Sequence, residues 1–314
     1  MDRRTAILVL SKVIVSTILV MWILHGADLG LILKTMATAN KPLLILAFSM
    51  FFVGYLLTAS RWRLLLKAQA IDTKLGYLVR SFMVAMFFNN FLPSTVGGDA
   101  VRVYDSWRLG KSKSRALTVI FVDRLLGLLA LILLAFAGSF FAHRLTDRVP
   151  GLSLWIVTAA AAALLLSYLI FFPPGRISEW TKIIRLPLPA ALKRILGKLG
   201  DALELFRGRD DVLWRALLLS FALQINVVLH FYVISLALQF PVPWHAFFLI
   251  VPIATVTMML PISINGIGVR EGAFAVLLSA YGIGSTQAVA FAWISYGFIL
   301  LQGLLGGAVF ALRR

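Results

Sequence analysis

Two short stretches of this chain hold the residue types best able to bind a charged group. The first runs from Asn89 to Arg102 as NNFLPSTVGGDAVR, and the second from Leu260 to Glu271 as LPISINGIGVRE. In the first, Pro93 removes a backbone donor and disfavours helix at Leu92. Gly97 and Gly98 permit positive φ and let a ligand approach the main chain. Asp99 can cap a new helix, whose first free N–H groups and positive dipole end attract an anion. Arg102 follows, with a planar fork that bonds phosphate in bidentate fashion. The second stretch offers Pro261, Ser263, Asn265, Gly266 and Gly268, then the pair Arg270 and Glu271. Glu271 suits three roles: countering a cationic headgroup, carrying a proton, or neutralising an arginine.

The candidate substrate-binding set is therefore Asn89, Asn90, Ser94, Gly97, Gly98, Asp99 and Arg102 with Ser263, Asn265, Gly266, Gly268, Arg270 and Glu271; Pro93 and Pro261 are the structural breaks. The plainer alternative for the first stretch is a turn closed by a salt bridge from Asp99 to Arg102 or Arg270.

The surroundings of these stretches are apolar. Hydrophobic residues make up 61% of the 314 and charged residues 14%, against about 45–50% and about 25% in soluble domains. Several apolar runs approach the ~20 residues a bilayer-crossing helix needs, and none shows the alternation of a membrane β-barrel. The fold class is an all-α polytopic membrane protein. Helices are expected near 5–24, 42–59, 117–141, 152–172, 212–238 and 286–311, with interrupted apolar segments at 75–98 and 246–282. The basic, apolar N-terminus resembles a secretory signal, but its apolar run is long and no small-x-small site follows, so it reads as a retained first helix.

Basic residues cluster at 60–80, 99–115 and 173–211, whereas 239–247 and 281–285 have none. The basic loops are expected to be cytoplasmic, with both termini inside. Since 60–80 and 99–115 then share a side, 75–98 should enter the membrane and return, and 246–282 should do so from the opposite face. Such broken backbone is tolerated only where protein or a wet cavity surrounds it. Both breaks read Leu-Pro, then a serine, a glycine three residues later, and an arginine. The expectation is about six spanning helices plus two re-entrant segments, an inverted repeat with approximate halves 1–150 and 151–314 in a single domain. Residues 173–211 read as a cytoplasmic amphipathic segment.

Asp123 and Arg124 sit early in an apolar run and form a candidate ion pair, or else lie at the cytoplasmic interface with Arg124 snorkelling. Arg61-Trp62 reads as an interfacial anchor. Gln224 and Asn226 suit hydrogen bonds between helices, and Gly303 with Gly307 suits close packing or a homodimer. The net charge of +17 fits topology and anionic lipid headgroups rather than nucleic acid. The chain has no cysteine, and His25, His143, His230 and His245 lack metal-ligand spacing. With no nucleotide-binding loop either, neither a metal nor a cofactor is expected.

NNFLPSTVGGDAVRVY, the later DRLLGLLAL and LPISINGIGVREGAF, with RWRLLLKA near Arg61, resemble the membrane region of bacterial lysylphosphatidylglycerol synthases and the wider flippase-like family sharing it. That resemblance covers nearly the whole chain. It implies movement of a lipid headgroup between leaflets of the bacterial inner membrane. The synthases attach the amino acid with a separate soluble domain, for which this chain leaves no room after Arg314, so aminoacyl transfer is not carried over.

The leading expectation is a flippase-like lipid transporter for a phospholipid or polyprenyl-linked lipid, with anionic or phosphate-bearing headgroups as ligands. The alternatives are a non-catalytic membrane partner of a lipid-modifying enzyme, or a membrane-embedded headgroup transferase using Asp99 or Glu271 as base.

Overall fold

A computed structural model describes residues 28–91, 97–110, 112–148, 151–171, 205–206, 208–260, 262–263 and 265–313. The expected first helix at 5–24, most of the segment 173–211, and Pro93, Ser94 and Pro261 lie outside them. Helix α1 spans Leu29–Ala37, α2 Lys41–Ala68, α3 Leu75–Phe91, α4 Gly97–Gly110 and α5 Lys113–Ser139. Then come α6 at His143–Arg148, α7 at Leu152–Phe171, α8 at Asp210–Ala237, α9 at Phe247–Met259, α10 at Val269–Ser279 and α11 at Ser285–Ala311.

Among the described residues four helices are long and apolar enough to cross a membrane: α2, α5, α8 and α11. Their 27 or 28 residues span about 40 Å at ~1.5 Å per residue. Local chemistry starts them. Asn40 caps α2 through Leu43 N, with Pro42 in its first turn, and Ser112 caps α5 through Arg115 N. Pro is welcome there because the first-turn N–H groups have no helical partner.

Helix α2 runs to Ala68, beyond the expected end at 59, so Arg61 lies inside a helix rather than in a loop. Arg102 likewise belongs to α4. Both arginines are buried and neither reports loop polarity; the exposed Arg108, Lys113 and Arg115 still mark this end as basic.

Each interrupted segment is a helix, a break and a second helix: α3 and α4 around the first, α9 and α10 around the second. The chain orders its helices alike on both sides of residue 150. α2 and α8 have 28 residues each, and α5 and α11 have 27 each. Packing follows the same exchange. α2 lies against α8, α3 against α11, and α9 against α5. α4 covers α5 as α10 covers α11, and α7 flanks α5 as α1 flanks α11. Glycines admit two of these contacts. A Cβ on Gly138 of α5 would stand 2.6 Å from the Phe248 carbonyl carbon of α9, and one on Gly306 of α11 would collide with the Met83 carbonyl of α3. Gly303 and Gly307 meet Asn90 and Phe87 of α3, so this glycine face is used within the molecule.

Candidate functional site

Helix α4 begins directly after the first break, and its polar face is the buried one. Arg102, Asp105 and Ser106 are buried, whereas Tyr104 and Trp107 face outward. The polar face docks on α2, α3 and α5. Asp123 of α5 accepts from Arg61 Nε at 2.6 Å through one oxygen and from Arg102 Nη2 at 2.8 Å through the other. Arg61 also donates to Ser220 Oγ of α8 at 2.7 Å. The Arg102 guanidinium lies 4.6 Å from the Trp62 ring centroid, and Trp62 donates to Ser106 at 3.2 Å. Two guanidiniums thus share one carboxylate in a buried pocket. One positive charge is in excess, and Arg102 Nε has no partner among the described residues. Such a charge is costly at membrane depth unless it serves a ligand or path.

Asp123 and Arg124, expected to pair, do not pair with each other. Adjacent helical residues point about 100° apart, so Asp123 faces the interior while Arg124 turns outward to Asp99, donating from Nη2 at 2.9 Å. Arg61-Trp62 is not an interfacial anchor but half of the buried cluster, with Arg61 at 5% and Trp62 at 0% exposure. The missed signal was the α2 stripe Thr58, Arg61, Trp62 and Leu65, whose helical spacing continues one buried face through the arginine.

The glycines and asparagines of the first break also differ from expectation. Gly97 and Gly98 lie inside α4, and Gly98 is needed for close approach: a Cβ there would stand 2.6 Å from the Ala85 carbonyl oxygen. Asp99 is the third residue of α4 rather than its cap. The end of α4 is tied instead by Asn89, whose side chain accepts from Gly98 N at 2.7 Å. Asn90 donates its Nδ2 to the Ile299 carbonyl of α11 at 2.7 Å.

In the second break the chain turns through positive φ at Asn265 (51°), Gly266 (73°) and Gly268 (82°). Asparagine is among the few side-chain-bearing residues that tolerate this region. Asn265 donates Nδ2 to the Asn90 carbonyl at 2.7 Å, so the two breaks touch. Glu271 accepts from Gly268 N at 2.7 Å and closes the first turn of α10. Arg270 is 5% exposed; its Nη2 donates to the Asn265 carbonyl at 3.0 Å, and its guanidinium lies 4.5 Å from the Tyr296 ring centroid. Arg270 Nη1 and the buried Ser263 hydroxyl have no partner among the described residues. The structure therefore joins Asn89, Asn90, Gly98, Asn265, Gly266, Gly268 and Arg270 around one junction, with Asp99, Arg102 and Asp123 in a neighbouring cluster.

Residues of matching rank in the two sets of helices carry different chemistry. Asp99 and Glu271 are each the third residue of the helix after a break. Arg61 and His230 each stand twenty-first in a 28-residue helix, Asp123 and Ser295 eleventh in a 27-residue helix, and Arg102 and Phe274 sixth after a break. Arg102 lies on Trp62; Phe274 packs on Phe231 at 5.3 Å. The charged cluster of one half is thus matched by an uncharged, aromatic one in the other. Gln224 and Asn226 tie α8 to the Gly127 and Met50 carbonyls, the helix-to-helix role expected of them.

Between α2, α3, α8, α9 and α11 lies a cavity of about 340 Å³, lined by Tyr55, Phe82, Gln224, His230 and Gln302 among others. Phe82, which the Arg102 guanidinium approaches to 5.6 Å, separates it from the charged cluster. No group of three or more His, Cys, Asp or Glu placed to hold a metal occurs among the described residues.

Comparison with known proteins agrees with this architecture. A "UPF0104 membrane protein" of Methanothermobacter thermautotrophicus is 24% identical over 313 aligned residues, covering 92% of this chain and 89% of the relative. The family model for the lysylphosphatidylglycerol synthase TM region matches residues 9–307. This multi-pass, all-helical chain belongs to the family of lysylphosphatidylglycerol synthase transmembrane regions.

Proposed function

We propose that this protein moves a lipid with a phosphate-bearing headgroup between the leaflets of a bacterial inner membrane. The two broken helix pairs would be inverted, re-entrant halves with the headgroup path at their junction, and both termini cytoplasmic. The observation that carries this reading is the junction itself. Asn265 binds the Asn90 carbonyl, and a buried arginine lies near each break: Arg102 beside an over-subscribed carboxylate, and Arg270 with an Nη1 that has no partner among the described residues. A membrane protein keeps such charges where a polar substrate compensates them, and arginine matches phosphate geometry. The exchange of α2, α3, α4 and α5 with α8, α9, α10 and α11 supports an inverted repeat.

Transport rather than headgroup chemistry is supported by the carboxylates. Asp123 is held by two arginines, Asp99 by Arg124, and Glu271 by the Gly268 amide, so each one placed as a base is already engaged. The test is a scrambling assay in proteoliposomes containing fluorescently tagged phosphatidylglycerol, with external dithionite as quencher. Wild-type protein is expected to bleach inner-leaflet probe well above protein-free vesicles, and Arg270→Gln to return the rate to background. A wild-type rate equal to that of empty vesicles overturns the reading.

A further inference from the structure

A second ligand-sized feature lies outside the junction. Helices α4 and α5 form a hairpin, and the cleft between them holds about 540 Å³. Its walls are Val103, Tyr104 and Trp107 of α4 with Leu117, Ile120 and Phe121 of α5. Tyr104, Leu117 and Phe121 are strongly exposed, an apolar face without a partner among the described residues, on a helix long enough to span a membrane. Both ends of the trough are charged. At the hairpin turn Lys113 sits 4.5 Å from the Trp107 ring centroid, with Arg108 and Arg115 exposed on the same turn. At the inner end Arg124 is paired with Asp99, yet its side chain remains 52% exposed.

We propose that this trough is a lateral docking site for an anionic membrane lipid, its phosphate on Lys113 and one acyl chain along the α4–α5 cleft. The proposal rests on the transport reading and adds the place where a substrate lipid waits before reaching the junction. The chemistry of the walls selects the occupant. The eight-residue step from Asp99 to Trp107 covers about 12 Å of helix, enough for the proximal part of one acyl chain. Lys113, Arg108 and Arg115 provide several cations at the end where a headgroup lies, and each basic residue near an anionic membrane surface adds about 1 kcal/mol of attraction. Trp107 is of the residue type that settles at headgroup level. The Asp99–Arg124 pair closes the inner end as a neutral plug, and Arg124 stands twelfth in the 27-residue α5. A half-exposed arginine that far along a spanning helix is costly facing bare lipid unless it is paired, and Asp99 supplies that pair at 2.9 Å. From Arg124 the next cation inward is Arg102, which reaches the same Asp99 oxygen at 3.9 Å.

The test is photolabelling of the full chain in nanodiscs. Two lipids are compared, phosphatidylglycerol and phosphatidylcholine, each carrying the same diazirine-bearing acyl chain, and labelled positions are mapped by mass spectrometry. Phosphatidylglycerol is expected to label residues 103–121 several-fold more than phosphatidylcholine. Lys113→Glu should erase that preference, and Val103→Trp, which fills the trough, should lower labelling by both lipids; melting curves identify any variant that fails to fold. Equal labelling by the two lipids in the wild type overturns the proposal. So does trough labelling no stronger than that of the exposed α7 face at Leu154 and Val157. Occupancy is read without transport, so a labelled trough in a protein that scrambles no lipid removes the transport reading alone, and scrambling without selective labelling removes the trough alone.

Discussion

The side-chain amide of Asn265 reaches the main-chain carbonyl of Asn90 at 2.7 Å and joins the two helix breaks. Asn265 holds this position with φ at 51°, so its backbone and its side chain both commit to the junction. Asn265→Ala removes the bond and puts an ordinary residue in the left-handed region. Leaving this half-buried acceptor unsatisfied costs at most about 1–3 kcal/mol, and alanine in that conformation about 1–2 more. Asn265→Gly removes the bond but suits the backbone. The expected order of melting temperature in detergent is wild type, then Gly, then Ala. An alanine variant that melts with the wild type would show that the two breaks are held together elsewhere.

The cluster of Arg61, Arg102 and Asp123 makes an asymmetric prediction. Asp123→Asn leaves Arg61 without a carboxylate and Arg102 with Asp99 alone, at 3.9 Å, a loss of about 3–5 kcal/mol. Arg102→Ala removes the excess charge and leaves Asp123 paired with Arg61 at 2.6 Å, so the fold should suffer less. In the scrambling assay, however, Arg102→Ala should lose transport while still eluting as folded protein. Equal destabilisation of the two variants would contradict the charge count of the cluster.

These residues show how far sequence alone carries. The breaks announced themselves because Leu92-Pro93 and Leu260-Pro261 cannot continue a helix and the flanking apolar runs are long. Arg102 and Arg270 stood out as charges beside them. Arg61 did not, because a Trp beside an arginine near a basic stretch also fits a membrane interface. Only the tertiary contact of α2 with α5 turns its side chain into Asp123. Asp123 and Arg124 misled in the other direction: neighbours in sequence diverge on a helix, so each found a partner on α4 instead. Helix order repeats on both sides of residue 150; the Leu-Pro, serine, glycine and arginine shared by the two breaks pointed to this in the sequence, and the matched helix lengths and packing partners fit it.

Close packing between α3 and α11 depends on Gly306. Gly306→Val drives a branched side chain into the Met83 carbonyl, and a backbone neighbour cannot swing away. Loss of the folded peak in size-exclusion chromatography is expected. Gly297 of the same helix has nothing within 4 Å of its Cβ position. There Gly297→Ala should keep or raise the melting temperature, since helix propensity favours alanine by about 0.8–1 kcal/mol. The contrast separates a steric role from glycine's flexibility, which both substitutions remove.

The exchange of the two halves can be tested by moving charge between them. Asp123 and Ser295 hold the eleventh place in two helices of equal length, as Arg61 and His230 hold the twenty-first in another two. In the first half these positions bring a guanidinium within 2.6 Å of a carboxylate; in the second, His230 bonds the Ala47 carbonyl at 2.8 Å and Ser295 the Ala292 carbonyl at 2.8 Å. Ser295→Asp alone buries an unpaired carboxylate and should lower stability by several kcal/mol. Adding His230→Arg supplies a cation from the position that reaches the carboxylate in the other half. The double variant should therefore melt above Ser295→Asp, with a coupling energy of about 0.5–3 kcal/mol in a double-mutant cycle. Additive losses would mean that the helices match in length but not in the geometry that brings these side chains together, and the proposed repeat would fail where its chemistry matters most.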